Sequence, residues 1–313
     1  MLHSNNINLC FQRDKPAGEP DKPAGEPDKP GGAPGGFIPP GRKIPVARPP
    51  RYTSRNVGRA YSLRYDWTGW PTEGAALPSS ITDVAQSVAS VWETDGLHLL
   101  ESHAMPGQIQ LLFSATPDVS PVFFCHRVKG RLQHALRQAG VPVVFSRKVS
   151  FRSLGENTTP DVDGYLRKQV RKEGFADCRF EGIMGQFTVV CHEVSLAEPS
   201  ETASGRYWYN LHLVLVVADR FRLTKPAVLG SLRDATFRVA GETGCRIGAL
   251  AVMPDHVHVA LRGDVNRSPD EIAVAFQNGM ARAAGCQVWQ DGYYVGTFSE
   301  YALDVIRRIT GGS

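Results

Sequence analysis

The chain is poor in cysteine, in long apolar runs and in net charge. Its six cysteines (Cys10, Cys125, Cys178, Cys191, Cys245 and Cys286) contain no Cys-x-x-Cys spacing and no dense framework, so they read as reduced thiols of an intracellular protein. No uninterrupted apolar run approaches the roughly 20 residues that cross a bilayer. The N-terminus also lacks the basic-then-apolar pattern of a signal peptide, so a soluble, cytoplasmic protein with no membrane partner is expected. The net charge of +4 is by itself too mild to indicate a nucleic-acid partner. What remains is 313 residues with 42% hydrophobic content, enough for two ordinary domains and a tail.

The tail is set apart by composition. Residues 14 to 30 repeat the unit Asp-Lys-Pro-Ala-Gly-Glu-Pro and run into Gly/Pro-rich sequence that continues to about Pro50. Such a segment has almost nothing apolar to bury, and its prolines block regular hydrogen bonding, so residues 1–58 are expected to be disordered. Arg42, Lys43, Arg48, Arg51, Arg55 and Arg59 follow the repeats as a solvated linker or a basic arm.

Beyond the tail the chain repeats itself. Tyr61 matches Tyr209, Gly96 matches Gly244, Met105-Pro106 matches Met253-Pro254, and Ser120-Pro121 matches Ser268-Pro269, each at an offset of 148. A register held over sixty residues indicates duplication of one domain. Each copy reads as an opening strand (60–67; 208–218), a helix (80–94; 226–243) and two strands flanking Met-Pro. A second helix, a further strand (143–153; 288–297) and a last helix (160–170; 300–309) follow. Ser268, Pro269 and Glu271 form a capping box that starts the second helix of the second copy. The order predicts α+β domains with an antiparallel sheet and helices on one face. They occupy residues 59–172 and 206–313 and are joined by a linker, 173–205, with a hairpin at 183–194.

The strand after Met253-Pro254 carries His256-Val257-His258, which puts two imidazoles on one strand face. At the matching place the first copy has Gln108-Ile109-Gln110. Two imidazoles hold a borderline or hard divalent ion only with oxygen ligands from elsewhere. Charge is also unevenly spread. From Arg127 to Lys172 eleven Lys/Arg face three carboxylates, a net of +8, which leaves −4 for the rest.

The run Met253-Pro254-Asp255-His256-Val257-His258, the Ser-Pro-initiated helix, and Val288-Trp289-Gln290-Asp291-Gly292-Tyr293-Tyr294 before a short closing helix resemble the single-tyrosine transposases of the His-hydrophobe-His (HUH) superfamily, including the REP-associated tyrosine transposases. The resemblance covers nearly all of the second copy and, more faintly, the first. Where Asp255 stands the family more often has Asn. It implies two tandem ferredoxin-like HUH domains, a nucleophilic tyrosine on the closing helix, and a metal-binding glutamine four residues later. The first copy matches with Tyr165 and Gln169, one helical turn apart. In the second copy Ile309 and Ser313 fall at those positions. The family also implies dimers in which the tyrosine helix of one subunit completes the metal site of the other. Carried over, Tyr165 and Gln169 would join His256 and His258 in one composite site of an intramolecular pseudo-dimer.

The resemblance further implies Mg²⁺ or Mn²⁺, a single-stranded DNA substrate with a nearby hairpin, and cleavage and rejoining through a 5′-phosphotyrosine link. DNA contacts are then expected from Arg127, Lys129, Arg131, Arg147, Lys148, Arg152, Arg167 and Lys168 around the tyrosine helix. Tyr301 is the alternative nucleophile, with Tyr293 and Tyr294 expected to pack on the last strand. The rival reading is a non-cleaving DNA-hairpin-binding protein that retains the histidines.

Overall fold

The computed structural model describes residues 51–73, 75–155, 157–172 and 178–300. The repeat tail through residue 50, and Tyr301, Ile309 and Ser313 of the expected last helix, lie outside the described residues. In chain order the first half contains β1 (Gly58–Ser62), β2 (Arg64–Pro71), α1 (Ile81–Ser87), α2 (Ala89–Glu93), β3 (Leu97–Met105), β4 (Gln108–Ala115), α3 (Pro121–Gln138), β5 (Phe145–Leu154) and α4 (Thr159–Lys172). The connection holds α5 (Cys178–Gly185), β6 (Thr188–Val190), β7 (Ser200–Thr202) and β8 (Gly205–Trp208). The second half follows with β9 (Asn210–Val216), α6 (Pro226–Thr243), β10 (Arg246–Val252), β11 (His256–Arg262), α7 (Pro269–Ala284) and β12 (Gly292–Thr297).

These strands form two six-stranded sheets, ordered β3-β4-β2-β5-β8-β7 and β1-β12-β9-β11-β10-β6. The four-strand order β3-β4-β2-β5 recurs as β10-β11-β9-β12, and all neighbours within each set are antiparallel. Thr68 pairs with Gln110 where Val214 pairs with His258, so the opening strands correspond at an offset of 146 rather than the expected 148. The slip is two residues, which keeps the same side chains facing the core.

The additional strands cross between halves. β1 runs into β2 through Leu63 but pairs in parallel with β12, and β8 runs into β9 through Tyr209 but pairs in parallel with β5. Each opening strand therefore begins on the other half's sheet. Where the halves meet, Asn210 N donates to Ser153 Oγ at 3.0 Å and Arg64 N donates to Thr297 Oγ1 at 2.9 Å, two equivalent contacts.

Period-two patterning explains which face is covered by what. Leu211, Leu213 and Leu215 of β9 and Val257, Val259 and Leu261 of β11 join one core with Leu229, Leu232, Ile272, Phe276 and Met280. The same core includes Tyr65, Phe113, Phe124 and Phe151 of the first half, packed mostly edge-to-face. The second copy's Ser-Pro helix is capped as the sequence predicts, Ser268 making a complete capping box with Glu271, and in its counterpart Ser120 Oγ accepts from Phe123 N.

Three expectations need correction. The helix expected over 80–94 is two short helices meeting at Val88. The hairpin expected at 183–194 is instead the end of α5 followed by β6, which adds to the edge of β10. The connection's hairpin lies further on, as β7 and β8. Residues 51–57 are not free tail: Tyr52 is buried, exchanges hydrogen bonds with the backbone of Trp289, and its N–H donates to Asn278 Oδ1. No described helix is long and apolar enough to cross a membrane, and Cys125, Cys191, Cys245 and Cys286 are free thiols.

Candidate active site

The face of β11 turned away from the main core carries His256, His258 and Ala260, beside Ala249 and Ala251 of β10. Small side chains here leave room for a helix. α4, from the first half, fills it: Val162 and Leu166 are buried against Ala249, Ala251, Ala260, Leu196 and Phe298 in a second apolar cluster. Because α4 covers this face, β11 is buried along its whole length.

The residue on α4 between those two anchors and one step to the side is Tyr165. Its ring centroid lies 5.3 Å from that of His258, at 88°, and 6.3 Å from that of His212. Tyr165 remains 39% exposed, so its ring is both held by the histidines and open to an incoming molecule. Gln169 follows one turn later on α4; its side chain lies outside the described positions, as does that of Arg167.

The two motif histidines are buried, with rings 4.8 Å apart and nearly perpendicular. Each is engaged at Nδ1. His256 Nδ1 meets Asp255 Oδ1 at 2.6 Å, and Asp255 Oδ2 accepts from Arg220 Nη1 at 3.1 Å. Partial burial pushes the Asp255 carboxyl up, but the hydrogen bonds from His256 and Arg220 outweigh it and hold the group below the ordinary range. Arg220 and Asp219 both sit at φ 54°, an uncommon left-handed conformation for such residues, in the tight turn that delivers Arg220 to Asp255.

His258 Nδ1 lies 3.1 Å from Nε2 of His212 on β9, with the rings stacked at 21°. Burial pushes the His212 imidazole down to about 4, so it is neutral at pH 7 and its Nε2 can accept a hydrogen bond from the Nδ1–H of His258. This arrangement, with Nδ1 of each ligand held by a neighbour, is the one in which histidine binds metal through Nε2. The donor set thus fits a divalent ion held by His256 and His258. Among the described residues no group of three or more His, Cys, Asp and Glu is placed to hold one, so further ligands would be of another kind, such as an amide oxygen.

His212 was not expected here, although its signal is in the sequence. The alternation Leu211, Leu213, Leu215 commits His212 to the opposite face of β9, and only the pairing His212↔Ala260 brings that face to the His pair. Tyr294 also departs from expectation, lying on the same face with its ring 6.4 Å from that of His212 and 39% exposed. Tyr293 does pack: its hydroxyl donates to Asp270 Oδ1 at 2.5 Å, and burial followed by that carboxylate pushes its phenol far up.

In the first half, Gln110 pairs with Thr68 where His258 pairs with Val214, and Asp66 takes the place of His212. Burial pushes the Asp66 carboxyl up to about 6 despite hydrogen bonds with Gln110 and Thr68 and the nearby Arg152. A hydrogen-bonded amide and acid thus stand where the second half has His258 and His212.

The basic block does not gather round the tyrosine helix as expected; it divides between two faces. Arg127 and Arg131 on α3 pair with Asp95 at 3.5 and 3.2 Å, and Lys129 Nζ donates to the Ser146 carbonyl at 2.6 Å. α3 packs on the Phe151 side of β5, whereas Arg152 points to the other side and lies 4.3 Å from the Trp208 ring. Arg147, Lys148 and Lys168 are exposed.

Comparison with known proteins gives a concordant result. Residues 206–309 match the family model "Transposase IS200 like". The ISDra2 transposase TnpA of Deinococcus radiodurans is 28% identical over 125 residues, covering 35% of this chain and 89% of that protein. A crystal structure assigned as a transposase from Deinococcus radiodurans R1 is 25% identical, covering 32% of this chain and 86% of that one, with a TM-score of 0.28. Residues 206–309 are thus similar to the IS200-like transposases over about a third of the chain.

Proposed function

We propose that the chain cleaves and rejoins single-stranded DNA at one composite site, with Tyr165 as nucleophile and His256, His258 and Gln169 as ligands of Mg²⁺ or Mn²⁺. The supporting observation is the ring of Tyr165, from the first half, set edge-on 5.3 Å from His258 of the second. The two halves of the chain then act as the two subunits of a dimer, the substrate being a strand with a nearby hairpin.

The course of the reaction is the one that the resemblance to single-tyrosine transposases implies. The phenolic oxygen of Tyr165 gives up its proton to solvent and attacks the phosphorus, the P–O3′ bond breaks, the phosphate stays on the tyrosine through its 5′ side, and the departing 3′ oxygen takes up a proton from solvent in turn. Reversal by a 3′-hydroxyl rejoins a strand. A tyrosine phenol, with an ordinary pKa near 10, is a poor nucleophile towards an anionic diester. A bound divalent ion would polarise a non-bridging phosphate oxygen and reduce that repulsion. Asp255, braced by Arg220, fixes the His256 ring, and His212 fixes that of His258. The Tyr165 ring on α4, 5.3 Å from that of His258, supports a site that would need little rearrangement when DNA arrives.

The test is to incubate the full chain with labelled single-stranded DNA and Mn²⁺ and to look for a covalent adduct. Wild type should form one, while Tyr165→Phe and His256→Ala should not. An adduct that persists in Tyr165→Phe refutes the composite site. Hairpin binding without an adduct in any protein would assign the chain to non-cleaving DNA recognition.

A further inference from the structure

The hairpin of β7 and β8 lies outside the IS200-like match except for Arg206–Trp208. By adding to β5 it makes a cleft on the first half's sheet, about 280 Å³ in volume, lined by Trp70, Lys148, Ser150, Glu201, Thr202 and Arg206. Trp70 follows Asp66 and Thr68 at period two, on the side of β2 away from the buried Tyr65 and Trp67. The parallel register sets Ser150 beside Arg206 and Arg152 beside Trp208, where the guanidinium stacks on the indole. Glu201 holds Arg206 Nε at 3.2 Å, so Lys148 and Arg206 against Glu201 leave the cleft at +1.

We propose that this cleft is a subsite for the substrate's single strand, in which a base stacks on Trp70 and flanking phosphates meet Lys148 and Arg206. The composition is that of single-strand platforms, which combine an aromatic face for a base with cations along the backbone. A volume close to 300 Å³ is at the small end for ligand sites, suited to one nucleotide unit of a strand. The fold also connects the cleft to the histidines. Arg206, Trp208, Asn210 and His212 alternate on one side of the continuous β8–β9 path while Tyr207, Tyr209 and Leu211 are buried in the core. From Arg206 to His212 that path spans about 20 Å at ~3.3 Å per residue. A strand crossing Tyr165 would need only a short flanking stretch to reach Trp70. The half that carries glutamines in place of the histidines keeps hold of DNA on the corresponding side of its sheet.

This subsite rests on the single-stranded DNA reading above, and binding separates the two. Anisotropy of a labelled oligonucleotide is followed with full-length Tyr165→Phe protein, alone and carrying Trp70→Ala or the pair Lys148→Gln and Arg206→Gln. Loss of one stacked base should weaken binding roughly 5- to 150-fold in Trp70→Ala. Loss of two phosphate contacts should flatten the slope of log K against log salt by about 1.4. Lys148 and Arg206 are exposed, so an unchanged thermal midpoint in the pair isolates DNA binding from folding. Unchanged affinity and slope in both variants would overturn the subsite, as would a free nucleoside monophosphate binding the cleft as tightly as the oligonucleotide. The covalent adduct of the wild-type chain is scored separately, so an adduct with a silent cleft refutes the subsite alone, and a responsive cleft without an adduct refutes the cleavage reading alone.

Discussion

Truncating Leu166 should release the tyrosine helix from the histidine face without unfolding the rest of the protein. α4 has 14 residues and an internal glycine, Gly164. Isolated helices of about 12–15 residues are marginal in water, and a glycine inside one costs about 1 kcal/mol relative to alanine. The helix therefore depends on docking, and among its described side chains only Val162 and Leu166 are buried. Leu166 is fully buried against Ala249, Ala251 and Ala260, which are too small to collapse into a void. Leu166→Ala should cost about 2–5 kcal/mol, and the lower figure already reduces the docking equilibrium constant roughly thirtyfold. Hydrogen exchange followed by mass spectrometry should show faster exchange in the α4 peptide by about that factor or more, with β9 and β11 still protected. Unchanged protection of α4 would refute the view that these two side chains hold Tyr165 in place.

Other consequences are equally direct. Asp255→Asn or His212→Ala should weaken Mn²⁺ binding about 10- to 100-fold, read by calorimetry, because each removes the group that fixes a ligand ring. Asp66 has a folded-state pKa raised to about 6 from an ordinary 3.8, so its ionised form destabilises the fold above pH 6 and that penalty disappears as pH falls towards 4. Asp66→Asn should accordingly raise stability by up to about 3 kcal/mol at pH 8 and abolish this contribution to the pH profile; a denaturation series that leaves the profile unchanged would refute it. A Cβ on Gly155 would run into the carbonyl of Thr297, where the two halves cross. Gly155→Ala should therefore lower stability by about 3 kcal/mol or more, measured by urea unfolding.

Much of this was legible in one dimension where the determining interactions are local. The Ser268–Glu271 capping box and helix 226–243 need only neighbouring residues, and both stand as the sequence predicts. The break at Val88 is different: Trp92 packs edge-on against Phe113, a tertiary contact that no helical periodicity records. The crossing of β1 and β8 onto opposite sheets is invisible because only one residue, Leu63 or Tyr209, parts each from the strand that follows, and only pairing with β12 and β5 divides them. His212 illustrates both sides. Its face is dictated by local alternation, but its neighbour His258 is set by strand pairing across 46 residues. The basic block misled because charge along a chain does not reveal sheet sides, and α3 and Arg152 lie on opposite ones.

The composite site is tested most directly by finding which tyrosine carries the DNA. Wild-type chain trapped with single-stranded DNA and Mn²⁺ would be digested with nuclease and protease, and the nucleotide-modified peptide sequenced by mass spectrometry. The modification is expected on Tyr165, in the half that lacks the histidines, and a modification on Tyr294 or Tyr301 of the second half would contradict a site shared between the two.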